Sequence, residues 1–330
     1  MRPFEYVRAA DAASATTAVF AAPQAKYLAG GSNLLDLMKE DVERPTRLVD
    51  ITRLPLRDIV RTRAGLSIGA LATNSETANH ASIRENYPLL TQAIVAGASG
   101  QLRNMATNGG NLLQRTRCNY FYDTATPCNK REAGSGCGAR DGLNKIHAIL
   151  GWSEACVATY PGDMATALYA LDAKVRVRAP DASERLIAIT DFHRLPGDTP
   201  QRDHNLAHGE LIVAIELPVA TADFARHSHY LKVRDRASYA FALVSVAAAL
   251  DLDGGTIRQA RVVMGGVAHK PWRSAEAEAA LVGQRADEAS FRRAASAALQ
   301  DARPLAHNAY KVELGHRSVV RALMRAAQLA

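Results

Sequence analysis

Cysteine is scarce in this chain: four residues in 330, none of them outside positions 118 to 156. They include no C-x2-C pair, which argues against a zinc ribbon and against the compact ferredoxin runs. No apolar run approaches the length of a membrane span. The opening Met1–Val7 has no apolar h-region, so no signal peptide is indicated. The chain is therefore expected to fold in the cytoplasm, reaching the periplasm only as a passenger of an exported partner subunit. Aromatics are few, at 6%, and the net charge of +7 comes from Lys and Arg scattered along the sequence. Nucleic acid is not an expected partner, whereas an acidic partner subunit is compatible with this surface. The histidines show no helical pairing and no carboxylate pairing suited to a catalytic metal, and no Ser–His–Asp constellation can be assembled. No internal repeat or low-complexity tract occurs.

What is present is concentrated between Gln101 and Cys156. A glycine turn, Thr107-Asn108-Gly109-Gly110-Asn111, leads directly into Cys118, Cys128, Cys137 and Cys156, spaced C-x9-C-x8-C-x18-C. The intervening residues are polar and turn-rich and can bend four thiolates toward one centre. Arg115, Arg117, Lys130 and Arg131 would offset the charge of such a centre. From the spacing alone, zinc, an iron–sulfur cluster, two disulfides and free buried thiols all remain open. Disulfides require an oxidising compartment, and a chain of this length does not need them as staples.

The length suggests two domains. Phe4–Arg8, Ala25–Ala29 and Leu48–Ile51 read as strands. A helix is expected from Asp11 to Phe20, capped by Asp11, and another from Leu34 to Lys39. Gly30-Gly31-Ser32-Asn33 joins a strand to a helix, where free amides favour an anion. It does not follow G-x-G-x-x-G, so it is no Rossmann fingerprint. Thr73 to Glu76 has the form of a capping box. A helical region is expected over 83–99, a strand over Ala155–Thr159, a helix from Asp163 capped by that residue, and a proline-closed strand Leu211–Pro218. After a link at 219–224, the pattern is strand His229–Arg234, apolar segment Ala242–Leu250, hairpin turn Asp253-Gly254-Gly255 and strand Ala260–Val267. Helices follow around Ala275–Leu281, Glu288–Leu299 and Asn308–Ala327. Two glycine turns in one unit suit a dinucleotide, whose pyrophosphate can be clasped from both sides.

At this point an ordered set of segments resembles a known family. They are Leu28-Ala29-Gly30-Gly31-Ser32-Asn33-Leu34, Ser67-Ile68-Gly69-Ala70, Leu102-Arg103-Asn104 through Gly110-Asn111, and Thr159-Tyr160-Pro161-Gly162-Asp163. Gly209 to Pro218, Lys232-Val233-Arg234 with Ala240, and Val263 to Pro271 complete the set. Together they resemble the FAD-binding (medium) subunit of the xanthine dehydrogenase family of molybdenum hydroxylases. The likeness is greatest to the flavin subunit of bacterial aldehyde oxidases that carry an added [4Fe–4S] cluster. The resemblance implies an α+β fold, with a vanillyl-alcohol-oxidase/PCMH-type FAD-binding domain at 1–220. That domain would have sub-domains 1–53 and 54–220 and a cysteine-bearing insertion at about 114–156. A small-sheet-plus-helices domain would follow at 225–330.

Carried over by position, the resemblance puts Lys26, Tyr27, Leu28, Ala29, Gly30, Gly31, Ser32, Asn33 and Leu34 around the FAD pyrophosphate. Thr107, Gly109, Gly110 and Asn111 form the second clasp. Asp163 would hold a polar end of the cofactor, with Ile212 and Lys232 beside it, and Cys118, Cys128, Cys137 and Cys156 would ligate the [4Fe–4S] cluster. Three departures stand out: Ser32 where threonine is usual, Asn108 where an apolar residue is common, and Tyr160-Pro161-Gly162 in place of His-Pro-Ser. The implied role is an electron-transfer subunit of a heterotrimer. It would take electrons from a molybdenum subunit through a [2Fe–2S] subunit and pass them to oxygen, a quinone or ferredoxin. Two alternatives stand beside it: a free-standing FAD oxidoreductase with its own substrate, and a zinc-stabilised interaction module without redox activity. Tyr120, Phe121 and Tyr122 are expected to pack the insertion rather than carry electrons.

Overall fold

A computed structural model describes residues 1–329, apart from the side chain of Ala222. The chain begins with a parallel sheet of β1 (Glu5–Arg8), β2 (Ala25–Leu28) and β3 (Arg47–Asp50), in the order β1-β3-β2. The helix Ala12–Phe20 that connects β1 to β2 starts at Asp11. The Asp11 carboxylate accepts from the Ser14 amide at 2.7 Å, and Ser14 Oγ accepts from the Asp11 amide at 3.1 Å. Two of the amides a helix start leaves orphaned are thereby satisfied. Ala15 and Val19 of this helix pack on Val49 and Ile51, and Leu211 and Val213 from the next sheet, with Leu71 beside them, close the same core.

That second sheet is antiparallel. It comprises β4 (Ile59–Thr62), β5 (Gly65–Gly69), β6 (Lys174–Arg178), β7 (Glu184–Ala188) and β8 (Leu211–Pro218), in the order β4-β5-β8-β6-β7. Helix Asn74–Asn79 carries the expected capping box, Thr73 with Glu76. The helical region expected over 83–99 is two helices, Ala81–Asn86 and Pro88–Ala96. Proline disfavours helical backbone in the residue before it, and Tyr87 accordingly sits at φ −135°, ψ 50°. The segment Ala155–Thr159 is not a strand. Its backbone bonds scatter: Ala148 donates to Val157 O at 2.9 Å, and Cys156 donates to Ser153 O at 3.1 Å. Helix Asp163–Ala170 is buried along its length after its first residue.

The third sheet, also antiparallel, is β12-β11-β10-β9, made of β9 (Ser228–Val233), β10 (Val244–Asp253), β11 (Thr256–Gly265) and β12 (Trp272–Arg273). Gly254 and Gly255 turn the β10–β11 hairpin with φ 54° and 86°, a region open to glycine and strained for other residues. Helices Ala275–Leu281, Glu288–Ala298 and Tyr310–Ala326 follow, within a residue or two of expectation. The link after β8 is a 3-10 helix, Val219–Arg226. Strand β10 is buried on both faces. Val244, Val246, Ala248 and Leu250 pack with the C-terminal helices, while Ala247 and Ala249 join the core that holds helix Asp163–Ala170. Alternate residues of a strand face opposite ways, so this run is apolar throughout rather than alternating.

Candidate functional site

A cleft of about 1450 Å³ runs between the first two sheets and reaches the third. Of the residues expected to hold the cofactor, Lys26, Tyr27, Ala29 to Leu34, Thr107, Gly109, Gly110, Asn111, Asp163, Ile212 and Lys232 all line it. Leu28 does not. It lies in β2 opposite Asp50, its side chain toward Gly31. The first glycine turn meets the chain just before the second. A Cβ on Gly30 would fall 1.9 Å from the Met105 carbonyl oxygen, so the first turn can meet the segment before the second only because Gly30 has no side chain. Gly31 has φ +70°. Tyr27 is anchored by its hydroxyl, which donates to Gly209 O at 2.7 Å.

The two turns differ in what they offer an anion. At the second, Asn108 N donates to Ala72 O, Gly109 N to Ala70 O and Asn111 N to Thr107 O, at 3.0, 2.9 and 2.8 Å, and Gly110 N donates to Thr107 Oγ1 at 3.3 Å. Its amides are spent on the fold. Among the described residues the amides of Gly30 to Leu34 donate no hydrogen bond within the chain. The expectation of a clasp from both sides is therefore narrowed: amides free to meet an anion are found at the first turn, and the second offers only its shape. Asn33 adds a further unsatisfied group. Its Oδ1 accepts from the Arg115 amide at 2.9 Å, while its buried Nδ2 has no partner, as a donor awaiting a ligand would be left. Asn108, unusual at its position, is fully satisfied: its Oδ1 accepts from Asn74 at 2.9 Å and its Nδ2 donates to Thr77 Oγ1 at 2.7 Å. Tyr160, another departure, uses its hydroxyl to bond the carbonyls of Asn111 and Leu112, each at 3.2 Å, bracing the second turn.

Deeper in the cleft, Asp163 Oδ2 meets Lys232 Nζ at 2.7 Å, with side-chain exposures of 9% and 4%. Tyr230 donates its hydroxyl to Asp163 Oδ1 at 2.6 Å, and Lys232 also donates to Ala96 O. Burial, with Asp163 adjacent, pushes the Tyr230 phenol well above its ordinary range. Asp163 is the first residue inside its helix, and Gly162 is the cap. The carboxylate is drawn to the ammonium and phenol rather than back over the helix amides.

The four cysteines converge. Cys118, Cys128 and Cys156 are buried, Cys137 is half-buried, and all four line one small cavity with Tyr120, Phe121 and Lys130. Cys128 and Cys137 lie opposite each other in an antiparallel bridge. All are free thiols, so neither disulfide forms. Burial pushes the Cys118 thiol up to about 12. A hydrogen bond shared with Cys156 holds Cys137 low and Cys156 high. Among the described residues no group of three or more His, Cys, Asp or Glu is set at the spacing of a single bound ion. Cys118 alone of the four also lines the large cleft. His147, buried and also on the cleft wall, places Nε2 3.1 Å from Cys118 Sγ.

The cations expected to offset the thiolates have other partners. Lys130 bonds Asp203 Oδ1 at 2.5 Å, and Arg115 bridges Asp203 Oδ2 at 2.8 Å and Glu43 Oε1 at 2.6 Å. Burial would raise the Asp203 carboxyl, but Lys130 and Arg115 outweigh it and hold it below the ordinary range. Arg131 donates to the carbonyls of Tyr120 and Phe121, and Arg117 to Tyr122 Oη. Of these cations, Lys130 still acts on Cys156 through space. Phe121 is fully buried with Arg115 over its ring at 4.7 Å, and Tyr120 Oη accepts from the Leu143 amide at 2.7 Å. These are the packing roles expected of the aromatics. Asp203, Glu43 and His147 were not foreseen as part of the site. The only sequence signal for His147 is its place between the third and fourth cysteines.

Residues 2–220 match the family described as the FAD binding domain in molybdopterin dehydrogenase, and residues 229–326 match the CO dehydrogenase flavoprotein C-terminal domain. The chain is a FAD-binding medium subunit of the molybdenum hydroxylase family. Over 327 residues, 99% of each chain, this subunit is 50% identical to the aldehyde oxidoreductase FAD-binding subunit PaoB of Escherichia coli strain K12. It is 29% identical to the glyceraldehyde dehydrogenase medium chain of Sulfolobus acidocaldarius, covering 86% of this chain and 83% of that one. Its fold matches quinoline 2-oxidoreductase from Pseudomonas putida 86 with a TM-score of 0.76 at 24% identity, over 99% and 98% of the two chains. It also matches reconstituted CO dehydrogenase from Oligotropha carboxidovorans, at 0.77 and 22%, over the whole of both. The flavoprotein fold read from the sequence is thus the fold observed, and the subunit belongs to an oxidoreductase complex of the aldehyde oxidoreductase and xanthine dehydrogenase type. No helix among the described residues is long and apolar enough to cross a membrane.

Proposed function

We propose that this subunit holds FAD in the large cleft and a [4Fe–4S] cluster on Cys118, Cys128, Cys137 and Cys156. It would take electrons from a molybdenum subunit and a [2Fe–2S] subunit of one heterotrimer and hand them to an external acceptor such as oxygen, a quinone or ferredoxin. The observation that carries this reading is the position of Cys118, in the wall of both the cysteine cavity and the cleft. Four thiols around one cavity are the donor set of such a cluster. The free amides of Gly30 to Leu34, the orphaned Asn33 Nδ2 and the cleft volume suit a dinucleotide. The flavin would supply a centre able to exchange electrons singly or in pairs, and the cluster a one-electron store.

The chain's own residues then have distinct tasks. Gly30 to Leu34 present amides to the diphosphate, and Thr107 to Asn111 close over it. Asp163, fixed by Lys232 and Tyr230, offers a polar anchor at the far end, and Ile212 packs beside it. Cys118, being buried, must lose its proton as the centre assembles, so loading depends on pH. The division at about residues 220–225 into a flavin domain and a C-terminal domain is part of the same reading.

The test is an anaerobic visible spectrum of the full chain, with FAD, iron and acid-labile sulfide measured on the same sample. FAD with about four iron and four sulfide per chain, and iron lost with FAD kept in Cys128→Ser, is the expected result. FAD without iron or sulfide in the wild type would overturn the cluster assignment, and zinc in place of iron would give the cysteines a structural role.

A further inference from the structure

The iron–sulfur reading leaves one buried group at the cysteine site unused. His147 is 2% exposed, and its Nε2 lies 3.1 Å from Cys118 Sγ. Its Nδ1 is buried with no hydrogen-bond partner. A neutral imidazole carries its proton on one nitrogen only. If that proton sat on Nδ1, a buried donor would be left unsatisfied and a lone pair would face a sulfur that must be a thiolate to ligate a metal. With the proton on Nε2, the N–H points at the sulfur and only an acceptor is left bare. The partner sulfur therefore favours the Nε2 tautomer, against a weaker pull of the Asn144 carbonyl on the ring.

The backbone that carries the ring is held in place. Lys311 Nζ donates to the carbonyl oxygens of Ile146, His147 and Gly266 at 3.2, 2.9 and 2.6 Å, and Asn308 Nδ2 donates to His147 O at 3.2 Å. The main chain at this histidine is therefore pinned by Lys311 of the C-terminal helix and by Asn308 just before it. Of the four cysteines, the one it touches is the one on the cleft wall, and His147 lines that wall as well. Hydrogen bonds to ligand sulfurs raise the potential of iron–sulfur centres, because the bond strengthens as reduction adds charge to the sulfur.

We propose that His147 donates a hydrogen bond from Nε2 to the Cys118 sulfur and so raises the midpoint potential of the cluster at its flavin-facing corner. This rests on the cluster reading given above. His147 is a positioning and tuning residue, not a ligand.

The experiment compares the full chain, purified anaerobically, as wild type, His147→Leu and His147→Gln. Iron, sulfide and FAD are measured first, and the cluster is then titrated potentiometrically by electron paramagnetic resonance. In His147→Leu the ratio of reduced to oxidised cluster at fixed potential should fall about tenfold, a downward shift of about 59 mV for a one-electron centre. His147→Gln, whose amide nitrogen can reach the Nε2 position, should restore most of the shift. Loss of iron in the Leu variant with iron and potential kept in the Gln variant would also support the bond. An unchanged midpoint in an iron-replete Leu variant overturns the proposal while leaving the cluster in place, and so does loss of iron from both variants alike. A wild type without iron or sulfide overturns the cluster reading itself and this inference with it.

Discussion

Substituting Gly30 by alanine tests the contact on which the cleft proposed for the flavin is built. The added Cβ would lie 1.9 Å from the Met105 carbonyl oxygen, 2.8 Å from its carbonyl carbon and 3.2 Å from Ala106 Cα. An ordinary close carbon–oxygen approach is about 3.3 Å, so the turns must part by about 1.4 Å. All three opposing atoms are backbone, and no side chain can swing aside. Overpacking costs about 1–3 kcal/mol where side chains yield, and the upper end applies here. If the cost falls on the closed, flavin-bound arrangement, 3 kcal/mol corresponds to about a hundredfold weaker FAD binding. The assay is FAD content after gel filtration, followed by titration of the apoprotein with FAD. Gly100→Ala is the matched control: a Cβ there meets nothing within 4 Å, and Gly100 opens a helix. It should be neutral or stabilising by up to about 1 kcal/mol. Stoichiometric FAD and wild-type affinity in Gly30→Ala would refute the claim that the first turn is locked against the Met105–Ala106 backbone.

Three further outcomes follow from the same geometry. Lys232→Met should destabilise the subunit by about 3–5 kcal/mol by stranding the buried Asp163 carboxylate; adding Asp163→Asn should recover part of this in urea unfolding, and strict additivity would show that the pair does not couple. Lys311→Met leaves three carbonyls without their donor and should cost about 3 kcal/mol; an unshifted denaturation midpoint would mean that they find other partners. Burial lowers His193 and His204 to about 4 and His269 to about 3. Because these folded-state values lie below that of the unfolded chain, the unfolded state binds protons first as pH falls. Stability is therefore full above about pH 6.5 and declines toward pH 4, by up to about 2 kcal/mol per histidine between pH 7 and 5. Equal unfolding free energies at pH 7 and pH 5 would contradict this.

Local signals made much of the fold legible. Asp11, Ser274 and Asp287 cap their helices by side chain, and the helices they start were placed within a residue or two. The apolar run of β10 announced burial but could not say that its two faces serve different cores. Strand β4 went unread because three of its four residues are exposed, so it lacks an alternating pattern. The glycine turns and the cysteines were visible as composition, but what happens to their polar groups was not. The amides of the second turn bond Ala70 and Ala72, and Lys130 bonds an aspartate 73 residues away. Asp163 was read as a cap because Asp before an apolar helix usually is one; its carboxylate instead bonds Tyr230 and Lys232 of β9, of which only Lys232 was expected near the same site. His147 carried no motif, since a lone histidine gains meaning only when the fold sets it against a sulfur.

The doubly buried strand β10 bears on how such subunits diversify. Two family segments meet near residue 225, and a crossover there would join intact modules on paper. In the folded subunit the incoming segment would bring its own residues at positions 247, 249 and 263, where this chain has Ala247, Ala249 and Val263 packed into the core of the preceding segment. Both alanines are fully buried, so an extra methylene at either must displace its neighbours, and protein interiors have little slack at that scale. A recombinant would have to inherit these small residues together with the helix Asp163–Ala170 that they pack among. The block that must stay together in this subunit is therefore larger than either segment, and its edge runs through side chains rather than through the linker.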